Sequence, residues 1–141
     1  MLAIVAPGQG AQQPGFLQPW VSEPSFADRL EWLSAVSGLD LAHYGTQADA
    51  ETIRDTAVAQ PLLVASGLLA ALELFPHPAD AYPLIGVAAG HSVGEITAAA
   101  GVGVFSAESA MVFVAERGRA MAAASAARPT SMTAVVGGQP D

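Results

Sequence analysis

The stretch that decides the fold is Leu84-Ile85-Gly86-Val87-Ala88-Ala89-Gly90-His91-Ser92-Val93-Gly94-Glu95, with an Ala-rich segment behind it. Leu84 to Ala89 is a short apolar run, broken by Gly86, with the length and composition of a buried strand. Residues 90–94 match G-x-S-x-G, a sharp strand-to-helix turn in which flanking glycines relieve crowding and hold a serine exposed at the strand's end. Two glycines around a serine can make a tight turn and nothing more. The strand expected before it and the helix expected after it are the context that makes Ser92 a candidate nucleophile. In that geometry the Val93 N–H lies at a helix N-terminus, where an orphan donor and the helix dipole stabilise a developing oxyanion.

Towards the N-terminus, Leu2 to Ala6 is a second compact apolar run. It ends at Pro7-Gly8 and predicts a buried strand feeding the turn Gly8-Gln9-Gly10-Ala11-Gln12. A dinucleotide-binding G-x-G-x-x-G fails here, because Gln13 stands at the third glycine position and Pro14 follows it. The loop is then either a plain glycine turn or a presenter of backbone N–H groups. Gln9 would lead in the second case, facing Ser92 across the crevice outside the carboxyl ends of the strands. Between the two runs, Ser25 after Pro24 predicts the N-cap of a helix carrying Phe26, Leu30 and Leu33 and stopping near Gly38. A short helix is expected over Asp49 to Asp55. A largely buried one is expected from Gln60 to Phe75, with Pro61 in its first turns and Pro76-His77-Pro78 ending it. Past the elbow, Ser106 caps a long helix to about Ala124, Ala122 to Ala127 with Arg128-Pro129 is a candidate linker, and Met132 to Val136 predicts a third strand. The order β, helices, β, helix, helix, β predicts an α/β domain on a parallel sheet.

Composition narrows the chemistry. At 141 residues, 52% apolar and 13% charged, the chain can bury one domain's core and is not disordered. The net charge is -8, and all five basic residues are arginines, which argues against nucleic-acid binding through a basic face. The absence of cysteine excludes a disulfide scaffold, a thiolate metal site and a cysteine nucleophile. Residues 1–6 have no basic leader, and the apolar stretch from Pro61 to Leu72 is too short to span a bilayer. A soluble, cytoplasmic protein that takes no membrane is expected.

Arg117 falls on the same helical stripe as Ala110, Val114 and Met121. A guanidinium there needs an anion, either a protein carboxylate such as Glu95 or a ligand, unless it snorkels to the surface. Arg119 projects elsewhere and is expected in solvent. His91 neighbours Ser92 on a sharp turn, where consecutive side chains diverge, so it packs or hydrogen-bonds at the elbow and does not serve as the base. His43 and His77 are expected as surface or capping residues, and no cluster has metal-ligand spacing. The nucleophile thus comes without a visible base.

Gly8-Gln9-Gly10-Ala11-Gln12, Gln60-Pro61, Gly90-His91-Ser92-Val93-Gly94-Glu95 and Arg117-Gly118 followed by Met121 together resemble the malonyl-CoA:acyl-carrier-protein transacylases and the related acyltransferase domains of fatty acid and polyketide synthases. The resemblance implies an α/β-hydrolase-like parallel sheet with helices on both faces. Residues 1-128 would form the N-terminal part of that large subdomain, and residues 129-141 the start of a ferredoxin-like small one. It implies Ser92 as nucleophile, Gln9 and Val93 as oxyanion donors, and Arg117 pairing with the malonyl carboxylate. Gln60 would lie near the active site and support the serine region, and His91 would sit with Arg117 and Gln60 around the substrate. Val93 after the serine leans towards malonyl over methylmalonyl. Malonyl-CoA and acyl carrier protein are the implied partners, with no metal and no redox cofactor. Family members are about twice as long, so the chain resembles their N-terminal half, with the catalytic histidine beyond residue 141. The alternatives are an α/β-hydrolase-type serine esterase and an inactive fragment that only binds carrier protein.

Overall fold

The computed structural model describes residues 1–128 and Gly137. Two strands, β1 (Leu2–Ala6) and β2 (Ile85–Gly90), pair in parallel, in register from Ala3 opposite Val87 to Ala6 opposite Gly90. The crossover between them holds α1 (Pro24–Ser37), α2 (Leu41–Thr46), a 3-10 turn (Thr52–Arg54), α3 (Thr56–Leu74) and α4 (Pro78–Ala81). After β2 come α5 (Gly94–Gly101) and α6 (Ala107–Ala127). A parallel pair needs such a crossover, since no tight turn can return the chain to the same end of a sheet.

Alternation along the strands separates two faces. Ile4, Ala6, Ala88 and Gly90 are wholly or partly buried on the side where α5 lies against both strands. Ala3, Val5, Val87 and Ala89 form the other side and are exposed, Val5 to 72% and Val87 to 50%. Helices on both faces were expected; among the described residues they cover one. The helices gather on one side because α3 packs against α1, α5 and α6, and α5 in turn lies against both strands.

The core is built around α3. Leu62, Val64, Ala65 and Leu69 meet Phe26, Leu30 and Leu33 of α1, Met111 and Val114 of α6, and Val93 and Ile96 at the elbow. At 19 residues and a mean hydropathy of 1.7, α3 is long and apolar enough to cross a membrane by length and composition, which the shorter run Pro61 to Leu72 was not. Its apolarity is used here for internal packing.

Several boundaries differ from expectation for local reasons. Helix α3 begins at Thr56, four residues early, because the Asp55 carboxylate accepts the Ala57 N–H at 2.7 Å as an N-cap. Pro61 therefore lies inside the helix, at the cost of one main-chain donor. The helix expected over Asp49 to Asp55 is a 3-10 turn. Asp49 starts it by accepting the Thr52 N–H at 2.8 Å, a bond that holds its carboxyl below the usual carboxylate range. Ser25 is not a cap. Pro24, preset for the first helical position, starts α1, and the Ser25 hydroxyl donates to Glu73 at 3.1 Å. Gly38 ends α1 in the left-handed conformation, and Ser106 caps α6 through the Ser109 N–H, both as expected. Helix α6 continues through the candidate linker to Ala127, since an alanine run favours helix over coil. The strand expected over Met132 to Val136 and the subdomain boundary at residue 129 lie outside the described residues.

Candidate active site

The turn after β2 has the geometry of a nucleophile elbow. Ser92 sits at φ 54°, the one non-glycine residue with positive φ among the described residues. That conformation is unfavourable for a residue with a Cβ and persists only where its surroundings impose it. The surroundings are a set of main-chain bonds: His91 N–H to Ala6 O at 3.0 Å, Gly94 N–H to His91 O at 3.0 Å and Glu95 N–H to Ser92 O at 3.0 Å. Close packing completes it. A Cβ on Gly90 would stand 2.2 Å from the Glu95 nitrogen, and one on Gly94 would stand 2.3 Å from the Ala6 carbonyl oxygen. Neither obstacle is a movable side chain. Gly94→Ala is therefore expected to destabilise the protein by about 3 kcal/mol, the upper range for overpacking. Gly101→Ala, on the same helix with open space around it, is expected to be neutral or slightly stabilising. Equal melting temperatures for the two variants would contradict the elbow packing.

Ser92 is exposed, while Val93 behind it is fully buried and anchors the turn in the core. The Val93 N–H has no acceptor among the described residues. The Gln9 N–H, in the loop after β1, also has none. These are two free main-chain donors on the two loops that leave the carboxyl ends of the paired strands. His91 joins those loops: its ring lies against Gly8, where a Cβ would come 2.3 Å from Nδ1. It packs at the elbow, as expected of it.

The loop is held by contacts that sequence reasoning did not assign. Gln9 Nε2 donates to Arg54 O at 3.1 Å and to Thr56 Oγ1 at 3.3 Å. The buried Gln12 accepts the Gly10 N–H on Oε1 at 2.8 Å and donates from Nε2 to Ile53 O at 2.9 Å. The available signal was the pair of glutamines in Gly8 to Gln12, since a primary amide both donates and accepts.

Arg117 meets neither Glu95 nor any other carboxylate within 4.0 Å among the described residues; the ion pairs there are Arg29–Glu73 at 3.6 Å and Arg119–Glu116 at 2.9 Å. Its Nη1 donates instead to Gln60 Oε1, and Gln60 Nε2 contacts the Met121 sulfur at 3.3 Å. Gln60 is 2% exposed, and Arg117 is half-buried. The stripe was expected to stay apolar through Met121. Ala110 and Val114 are buried but Met121 is 41% exposed, because α6 runs past the edge of the core beyond Gly118. Arg117 sits at that edge with a neutral partner. Its guanidinium is oriented by an amide, with no carboxylate within 4.0 Å among the described residues. His43 and His77 are exposed, and the described residues bring together no three potential metal ligands among histidine, aspartate and glutamate. No direct side-chain hydrogen bond links the Arg117–Gln60 pair to the elbow among the described residues; α3, α5 and α6, which carry them, pack on one another.

A serine at a strand-to-helix elbow on a parallel strand pair is a feature shared by several acyl-handling folds, and the family comparison says which: the chain belongs to the acyl transferase domain family, whose model matches residues 4–138. It is similar to the malonyl CoA-acyl carrier protein transacylase of Mycobacterium tuberculosis strain H37Rv, 50% identical over 138 residues that cover 98% of this chain and 45% of the relative. The crystal structure of MCAT from Mycobacterium tuberculosis matches with a TM-score of 0.82 at 48% identity, over 90% of this chain and 42% of that one. A type II polyketide synthase acyl-carrier protein in complex with its malonyl-transacylase matches at 0.72 and 29%, over 86% of this chain and 39% of that one. The chain spans a little under half the length of the relatives it matches.

Proposed function

We propose that this chain supplies the nucleophile, the oxyanion donors and the acid-recognising pair of a malonyl-CoA:acyl-carrier-protein transacylase serving fatty acid or polyketide synthesis in the cytoplasm. The observation that carries the reading is Ser92, held at φ 54°, with the N–H of the next residue, Val93, and that of Gln9 on the loop after β1 both without an acceptor among the described residues. Ser92 Oγ attacks the thioester carbonyl of malonyl-CoA. The carbonyl oxygen becomes an oxyanion that takes hydrogen bonds from the Gln9 and Val93 N–H groups, CoA leaves as its thiol, and a malonyl ester remains on Ser92. The phosphopantetheine thiol of acyl carrier protein then attacks the ester by the same geometry and frees Ser92. The serine proton passes to a histidine that the resemblance places beyond residue 141, and neither metal nor redox cofactor enters. Arg117, aimed by Gln60, pairs with the free carboxylate of the malonyl group.

The α/β-hydrolase-like extension of the sheet and the ferredoxin-like subdomain from residue 129 belong to this proposal. The test is intact mass after incubation of the full-length protein with malonyl-CoA, followed by holo acyl carrier protein. A malonyl adduct that forms and then moves to the carrier is expected; hydrolysis without transfer would point to an esterase.

Gln60 carries its own prediction. Gln60→Leu removes the acceptor that orients Arg117, so the kcat/KM for malonyl-CoA should fall by about 1–3 kcal/mol of transition-state stabilisation, the scale of a hydrogen bond to a charged group. Acetyl-CoA, which has no free carboxylate, should lose less. Equal losses for both would show that Gln60 serves packing alone.

A further inference from the structure

We propose that the Gln12 and Gln9 side chains are positioning groups that set the rate of acyl-enzyme formation by pinning the loop after β1 to residues 53–56. The inference rests on the reading of the Gln9 N–H as an oxyanion donor. A loop of two glycines and small residues is a poor platform for such a donor. Gly10 lies at φ 110°, and the one main-chain bond inside the turn, Ala11 N–H to Gly8 O, is long at 3.4 Å. An oxyanion donor acts only if its direction is fixed before the reaction, since reorganisation during the step cancels the gain.

What fixes it lies outside the turn. Gln12, buried under the loop, ties the Gly10 N–H at 2.8 Å to the Ile53 carbonyl at 2.9 Å through one planar amide. The Gln9 side chain reaches the same wall from the other side, to Arg54 O at 3.1 Å and Thr56 Oγ1 at 3.3 Å. The wall is itself rigid: a 3-10 turn with Ile53 in the core runs directly into the Asp55-capped start of α3, the central helix. The peptide preceding Gln9 is thereby held between these clamps and the His91 ring on Gly8. The Gly10 and Ala11 N–H groups that follow are both used, and the Gln9 N–H between the clamps has no acceptor among the described residues.

The test is the single-turnover rate of Ser92 malonylation in the full-length protein, with the KM for malonyl-CoA measured beside it. Gln12→Leu is expected to slow acylation ~10- to 100-fold, less than outright loss of an oxyanion donor, with KM changed less than about twofold. Amide exchange at Gly10 should accelerate in the same variant, a readout independent of turnover. Thr56→Val removes one anchor without touching the loop and should slow acylation by about threefold or more, and Thr56→Ser, which keeps the hydroxyl, should restore it. A folded Gln12→Leu protein that acylates at the wild-type rate overturns the proposal. If that variant does not fold, equal rates in Thr56→Val and Thr56→Ser overturn it. A wild-type protein that never acylates Ser92 refutes the functional reading instead, and the two failures are thus distinct.

Discussion

Ser92→Ala is expected to abolish the malonyl adduct and to lower transacylation by about four orders of magnitude or more, the scale for removing the nucleophile of a serine-type site. Mass spectrometry of peptides from wild-type protein should place the adduct on the peptide containing Ser92 and nowhere else. A second substitution sharpens the assignment. Because Ser92 is held at φ 54°, Ser92→Gly should be equally inactive yet more stable, by about 1 kcal/mol, as the penalty for a Cβ in the left-handed region is relieved. Loss of activity with a gain in melting temperature is what a strained nucleophile produces and what a merely structural serine does not. An acyl-enzyme surviving in Ser92→Ala would remove the residue from the mechanism.

Arg117→Ala should cost malonyl transfer about 2 to 5 kcal/mol of transition-state stabilisation, the range for removing one partner of a desolvated charge pair. Acetyl transfer has no carboxylate to lose and should be spared or improved. The structure adds a complication with a known sign. The buried Gln60 Oε1 would lose its donor, so the variant should also unfold more easily, by about 1 to 2 kcal/mol. That loss falls on both substrates alike. The decisive quantity is therefore the ratio of malonyl to acetyl kcat/KM, in which stability cancels. Arg117→Lys should recover only part of the ratio, since an ammonium keeps the charge but not the planar fork. An unchanged ratio in Arg117→Ala would remove Arg117 from the substrate site.

The sequence by itself determined the parts of this protein whose cause is local. The two strands, the elbow between β2 and α5, the Gly38 stop and the Ser106 cap were legible because apolar runs, glycines and capping side chains act over a few residues. The family was legible for a related reason: a G-x-S-x-G turn, a glycine loop and an arginine on a helical stripe with Ala110 and Val114 are each short and chemically specific, and their order along the chain adds to each. Boundaries were read less well where two local signals compete. Pro24 displaced Ser25 at the start of α1, and Asp55 started α3 ahead of Pro61. Tertiary structure alone decided who partners whom. Spacing showed that Arg117 needed a partner but not that the partner would be the neutral amide of Gln60, 57 positions away, instead of a carboxylate. Nor could it show that Gln9 and Gln12 bind the segment 53–56. A side chain's donors and acceptors are fixed by its chemistry, whereas the groups that satisfy them are fixed by which helices the core brings together.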